Sequence, residues 1–149
     1  MKLRNLLLFS AAVVGAVALS ASSVPDFSGT WKLNLEKSDL GGMPITALQV
    51  VIDHKEPAFK YTASGTFDGQ DFEESEGFST DGKPAQDSHG NTMKAHWEGP
   101  VLVSEVTAPD GSHVYTSRMT LSADGKSSTR DQVPGNDQEP KRHEIYEKQ

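Results

Sequence analysis

The dipeptide Asp-Gly occurs at 68–69, 81–82, 110–111 and 124–125, each time between short runs in which apolar and polar residues alternate. Asp and Gly tolerate the positive φ that tight hairpin loops demand. Alternation with a period of two marks a strand that buries one face. Breaks at Glu98-Gly99, His89-Gly90 and across Pro134 to Pro140 continue the same rhythm, and no segment beyond residue 23 carries a helical apolar period over three turns. These features confine the chain to an antiparallel all-β meander. Reading between the breaks gives about ten strands, at 28–36, 46–55, 58–67, 70–79, 83–88, 91–97, 100–108, 112–122, 126–133 and 141–148.

The hairpins predict which side chains share a face, because directly opposite residues point the same way. Closing at 98–99 pairs Ala95 with Leu102 and puts Met93, Ala95 and Trp97 on the face of Leu102 and Val106. Closing at 110–111 sets Val106 opposite Tyr115 and Leu102 opposite Met119, and closing at 68–69 sets Phe59 opposite Phe78 and Gly65 opposite Phe72. In all three hairpins the apolar residues fall together. A run of strands with one apolar face hides its edges best by closing into an up-and-down barrel. The Phe72–Phe78 face also carries Glu74 and Glu76, with Tyr61 facing Glu76. Burying two unpaired carboxylates is costly, so strand 70–79 is expected either to bulge or to border a wet lumen.

The amino terminus has the three parts of an export signal. Lys2 and Arg4 precede an uncharged apolar stretch, Leu6 to Leu19, and small residues follow at 20–23. The apolar stretch is shorter than the roughly 20 residues that span a bilayer. Residues 1–23 are therefore expected to be a cleaved signal peptide, and 24–149 one β-barrel domain, periplasmic or secreted and free of the membrane after processing. Loss of Lys2 and Arg4 leaves 12 basic against 21 acidic residues, a balance that repels nucleic acid and anionic lipid. The chain has no cysteine, which excludes disulfides and thiolate chemistry. Its histidines, at 54, 89, 96, 113 and 143, lack metal-ligand spacing, and the acidic group at 68–76 lacks a calcium-loop pattern. No metal and no cofactor is expected.

The domain opens Phe27-Ser-Gly-Thr-Trp-Lys-Leu-Asn34 and closes Ile145-Tyr-Glu-Lys148. The Gly-x-Trp of the opening resembles the first-strand signature of the lipocalin and fatty-acid-binding protein (calycin) superfamily. The closing strand and the strand count resemble its fatty-acid-binding branch, and the chain is also similar to short exported bacterial lipocalin-like proteins. The resemblance implies a barrel, a structural place for Gly29 and Trp31 at its end, and a small apolar or amphipathic ligand in its lumen. The residues depart from the fatty-acid-binding branch at two places. Lys37 to Thr46 is too short for a two-helix lid and contains Gly41-Gly42-Met43-Pro44. Where that branch has an arginine two residues before the closing tyrosine, this chain has Glu144, with Arg142 two residues further back.

The candidate ligand-binding residues are Phe59, Tyr61, Trp97, Tyr115, Met119, Arg130, Arg142 and Tyr146. Aromatic walls with a few polar groups are what small-molecule sites use, and core packing accounts for each aromatic equally well. The Asp124-Gly125 loop sets Arg118 opposite Asp131 as an outward ion pair and Arg130 opposite Met119, inward. A connection centred on Asp137 brings Glu144 opposite Arg130. Arg130 then either pairs internally with Glu144, or the donors for an acidic ligand come from Arg130, or from Arg142 with Tyr146. The sequence shows neither a Gly-x-Ser-x-Gly elbow nor a phosphate-binding glycine loop. The leading expectation is an exported, non-enzymatic binding protein for a small apolar or amphipathic molecule, acids included. The alternatives are an envelope scaffold or inhibitor with a filled barrel, and a small barrel lyase, isomerase or hydrolase.

Overall fold

The computed structural model describes residues 23–149, so the expected signal peptide and its cleavage point lie outside the described residues. Ten strands follow one another: β1 (Gly29–Leu33), β2 (Ile45–Lys55), β3 (Ala58–Phe67), β4 (Gln70–Ser79), β5 (Ala85–Gln86), β6 (Thr92–Glu98), β7 (Val101–Thr107), β8 (His113–Leu121), β9 (Ser127–Pro134) and β10 (Arg142–Lys148). They form a single antiparallel sheet in the order β4-β3-β2-β1-β10-β9-β8-β7-β6-β5. The first and last strands pair with each other, Trp31 opposite Lys148 and Leu33 opposite Tyr146. The sheet thus curls into a nearly closed barrel. It stays unlaced along one seam, where β4 packs beside β5 and β6 without a ladder.

Successive strands alternate in direction, so the loops after β1, β3, β5, β7 and β9 gather at one end, the mouth. Those after β2, β4, β6 and β8 gather at the other, the floor. Strand β5 is much shorter than the expected 83–88 because Asp87 closes the next turn early. Its carboxylate accepts the backbone N–H groups of His89 and Asn91, both at 2.9 Å.

The register follows the hairpin reading in its faces and departs from it in two loops. At 68–69 both turn residues have positive φ, 48° at Asp68 and 75° at Gly69, and Phe59 lies opposite Phe78 with Gly65 opposite Phe72. The β6–β7 turn is Gly99-Pro100 instead of Glu98-Gly99, so Trp97, not Ala95, faces Leu102. That slip is an even number of residues and keeps every side chain on its expected face. The β7–β8 loop is one residue longer than two, and an irregularity between Val106 and Thr107 restores the expected pairs Val106–Tyr115 and Leu102–Met119. The β3–β4 ladder runs without a shift, which removes the bulge proposed for strand 70–79. Glu76 instead reaches across the seam, where its Oε1 accepts the Ser88 N–H at 2.8 Å.

Phe27, Trp31 and Phe59, 0%, 1% and 2% exposed, plug the floor. The Trp31 indole N–H donates to the Phe27 carbonyl at 2.8 Å. Gly29 explains its own place in Gly-x-Trp. Its φ is +137°, and a Cβ there would come within 2.6 Å of Lys148 Cε. The bare backbone lets the Lys148 side chain lie across it, with Nζ 5.4 Å from the centre of the Trp31 ring.

Candidate ligand-binding site

Above the plug the barrel encloses a cavity of about 780 Å³, inside the range of roughly 300–1,000 Å³ found for small-molecule sites. Its two sides differ in chemistry. From β2, β3 and β4 come Val50, Ile52, Phe59, Ala63, Phe72 and Phe78, with Tyr61 and Glu74 among them. From β7 to β10 come Ser104, Ser117, Ser128, Arg130, Gln132 and Arg142, with Leu102 and Met119 among them. Glu74 on the cavity wall is the wet-lumen alternative read from the sequence.

The ladders stack the inward side chains of β7 to β10 into transverse rows. One row runs Leu102, Met119, Arg130, Glu144, and the next toward the mouth runs Ser104, Ser117, Gln132, Arg142. In the deeper row Arg130 Nη1 donates to Glu144, 3.1 Å from Oε2 and 3.4 Å from Oε1, and the Tyr146 hydroxyl donates to the same Oε2 at 2.8 Å. Glu144 is 3% exposed. Burial disfavours the Arg130 charge, but the Glu144 carboxylate overrides it and holds the guanidinium charged, above its ordinary range. Burial, then Glu144, pushes the Tyr146 phenol up. Burial, then the neighbouring Tyr115, raises Tyr61 to about 12. Both phenols are therefore neutral hydrogen-bonding groups. The Tyr115 ring lies 5.7 Å from Arg130 Cζ.

In the upper row the hydroxyls of Ser104 and Ser117 share a hydrogen bond of 2.7 Å. Gln132 is 4% exposed, and its Oε1 is the one buried side-chain nitrogen or oxygen without a partner among the described residues. Arg142, half-buried, touches the Met43 sulfur and has no carboxylate partner among the described residues.

Of the residues expected from sequence, Phe59, Tyr61, Tyr115, Met119, Arg130, Arg142 and Tyr146 are brought together around this cavity. Trp97 is not. It points inward, as its parity required, but at floor level, where it stacks on Phe27 at 6.3 Å and its indole N–H donates to Glu56 at 3.0 Å. Trp31, assigned to the barrel end, also borders the cavity. The expected Arg118–Asp131 ion pair does not form. Arg118 turns to Glu98 at 2.7 Å, and Asp131 pairs with His143 at 2.6 Å. Sequence reasoning missed Gln132 and the Ser104–Ser117 pair, although Gln132 has the same inward parity as Arg130. Among the described residues no group of three or more His, Asp or Glu side chains is placed to hold a metal ion.

No family model matches the chain, and no curated protein matches it in sequence. Solved structures do. The structure titled REP1-NXSQ fatty acid transporter superposes with a TM-score of 0.61 at 13% identity, covering 83% of this chain and 96% of that one. Secretory abundant heat soluble protein 4 from Ramazzottius varieornatus superposes with a TM-score of 0.53 at 14% identity, covering 83% and 94%. At such low identity the likeness is one of fold alone, a nearly closed, ten-stranded antiparallel barrel.

Proposed function

We propose that this chain is an exported, non-enzymatic carrier that holds a small apolar or amphipathic molecule inside its barrel. The observation that carries this reading is the cavity of about 780 Å³ with one largely apolar wall. A scaffold has no use for such a lumen, because protein interiors otherwise pack to the density of organic crystals. The likeness to a structure described as a fatty acid transporter supports a carrier over an enzyme. Export rests on the apolar, small-residue pattern of 1–23, and intact-mass analysis of the exported protein should place its first residue between Leu19 and Val24.

Titration with an apolar fluorescent probe tests the carrier reading. Binding is expected to be saturable and micromolar, about −8 kcal/mol. Emission from Trp31, which borders the lumen, should respond, and Tyr115→Ala should weaken the probe. A folded protein that takes up no probe would be a scaffold.

A further inference from the structure

We infer that Arg142 receives the polar end of the ligand, that this end is a carboxylate, and that it sits at the mouth with the apolar body running down the lumen to the plug. This inference rests on the carrier reading and names the chemistry and the direction of its ligand.

Three arginines lie among the described residues, and two of them are taken. Arg118 pairs with Glu98 on the outer surface at 2.7 Å. Arg130 faces the lumen, but Glu144 lies 3.1 Å from its guanidinium, and the Tyr146 hydroxyl donates to that same carboxylate. A second carboxylate brought to Arg130 would meet the charge of Glu144 in a poorly screened interior. The deep seat is closed. Arg142 differs from both. It lines the cavity one row nearer the mouth, is half-buried, and has no carboxylate partner among the described residues. Its contact with the Met43 sulfur engages one N–H with a weak acceptor. The rest of the guanidinium fork stays available to the lumen, and a carboxylate matches that fork with two parallel hydrogen bonds. Because Arg130 and Glu144 cancel, Arg142 leaves the β9–β10 wall with a positive charge in excess.

The chain fixes the place of that charge. β1 ends at Leu33, opposite Tyr146, so the mouth end of β10 needs another neighbour on that side. The loop after β1 supplies it. The N–H and the carbonyl of His143 bond to Asp39 at 2.8 Å each, and the Ile145 carbonyl accepts the Asn34 N–H at 2.8 Å. The Ile145 N–H donates to the Ser38 hydroxyl at 2.9 Å. On the other side Arg142 lies opposite Gln132 of β9. A seat held from both sides loses little freedom when a ligand arrives. The direction follows from what lies deeper. The Arg130–Glu144–Tyr146 set is satisfied within itself, and Val50, Ile52, Phe59 and Phe78 line the opposite wall. Asp71 and Glu74, the acids bordering the cavity, are exposed, so water and salt screen them from the head. Arg142 and Lys148, the ends of β10, are about 20 Å apart along the strand, and Lys148 lies opposite Trp31. A long alkyl chain anchored at Arg142 therefore brings its far end to the floor.

Two measurements at neutral pH test this. In competition for a bound apolar fluorescent probe, dodecanoate is expected to bind on the order of tenfold more tightly than methyl dodecanoate, which has the same chain and no charge. Arg142→Gln should abolish that advantage and leave the ester unchanged. Arg142→Lys, which keeps the charge and loses the fork, should retain part of it. The direction is read from tryptophan emission, because Trp31 and Trp97, the two tryptophans of the chain, both lie at the floor. Bromine quenches indole emission at contact range. Hexadecanoate brominated at the far end of its chain should quench, and hexadecanoate brominated beside its carboxylate should not. Equal affinity of acid and ester in the unsubstituted protein would overturn the inference, and so would an acid preference that survives Arg142→Gln. Quenching by the bromine beside the carboxylate, alone or equal to that of the other, would overturn the direction and with it the seat at the mouth. Failure of the probe and of every competitor would overturn the carrier reading itself, a distinct result.

Discussion

At the floor of the barrel the Glu56 carboxylate accepts three side-chain hydrogen bonds, from His54 Nε2 at 2.6 Å, Trp97 Nε1 at 3.0 Å and Thr80 Oγ1 at 2.7 Å. The backbone N–H of Phe27 donates to the other ring nitrogen, Nδ1, at 3.2 Å, so Nε2 carries the proton that points at Glu56. The donors come from the end of β2, from β6 and from the segment after β4, and one side chain therefore fastens both sides of the seam. Burial works against the Glu56 charge, but the donors from Thr80, His54 and Trp97 outweigh it and hold the carboxyl below its usual 4.5. A depressed carboxylate stabilises the fold above its unfolded value and loses that contribution as pH falls through its folded one. Glu56→Ala should cost about 2 kcal/mol, the range for hydrogen bonds to a charged acceptor, read as a lower urea midpoint with an unchanged slope. Glu56→Gln should flatten the fall in stability below about pH 4.5, an effect kept small because the carboxylate is 40% exposed. The placement of Trp97 here shows what one residue's sequence context can and cannot specify. Period-two alternation gives the face of a strand on which a side chain lies. It does not give the height along the barrel, which depends on where distant strands meet.

At the scale of strands and turns, errors of two residues are harmless and errors of one are not. The Gly99-Pro100 turn lies one position from the expected Glu98-Gly99, which moves the pairing by two and leaves Met93, Ala95 and Trp97 on the same side. The longer β7–β8 loop shifts the pairing by one, and the irregularity beside Val106 cancels it. A sequence reading that assumed neither reached the right pairs. Strand β2 has its own irregularity between Ile45 and Ala47, opposite Thr66 and Phe67. Gly65 accounts for how closely the two strands approach there, since a Cβ on it would collide with the Ala47 carbonyl oxygen. Gly77, one strand over, has 3.5 Å or more to its nearest neighbours. Gly65→Ala should therefore destabilise by about 1–3 kcal/mol through overpacking. Gly77→Ala should be neutral or slightly stabilising, because it restricts the unfolded chain more than it strains the folded one. Equal urea midpoints for the two variants would contradict the close approach at Ala47.

For the whole molecule, ten strands, one domain and inward faces were legible because each is a local property of alternation and turn chemistry. The Arg130–Glu144 pairing was legible because a single short connection sets it. Two details were not: the place of the seam, between β4 and β6, and the size of the volume left inside. They arise from pairing residues more than a hundred positions apart and from how ten strands tilt together. The seam has a further consequence for how the chain is joined. Between Thr80 and Pro84 runs the covalent link that connects residues 23–79 to 85–149, and it crosses the place where no ladder forms. The two segments are held elsewhere by β1 on β10, by the Asp39–His143 bridge and by the Gln149 N–H on the Thr30 carbonyl at 2.9 Å. Chain order and spatial order are thus decoupled at one exposed loop. A polypeptide nicked between Gly82 and Lys83 should keep its two pieces together through size-exclusion chromatography in the absence of denaturant. So should a circular permutant that begins at Lys83 and joins Gln149 to Ser23 by a short linker. Pieces that elute apart would show that the β1–β10 ladder and the contacts across the seam do not hold the barrel together without the covalent link.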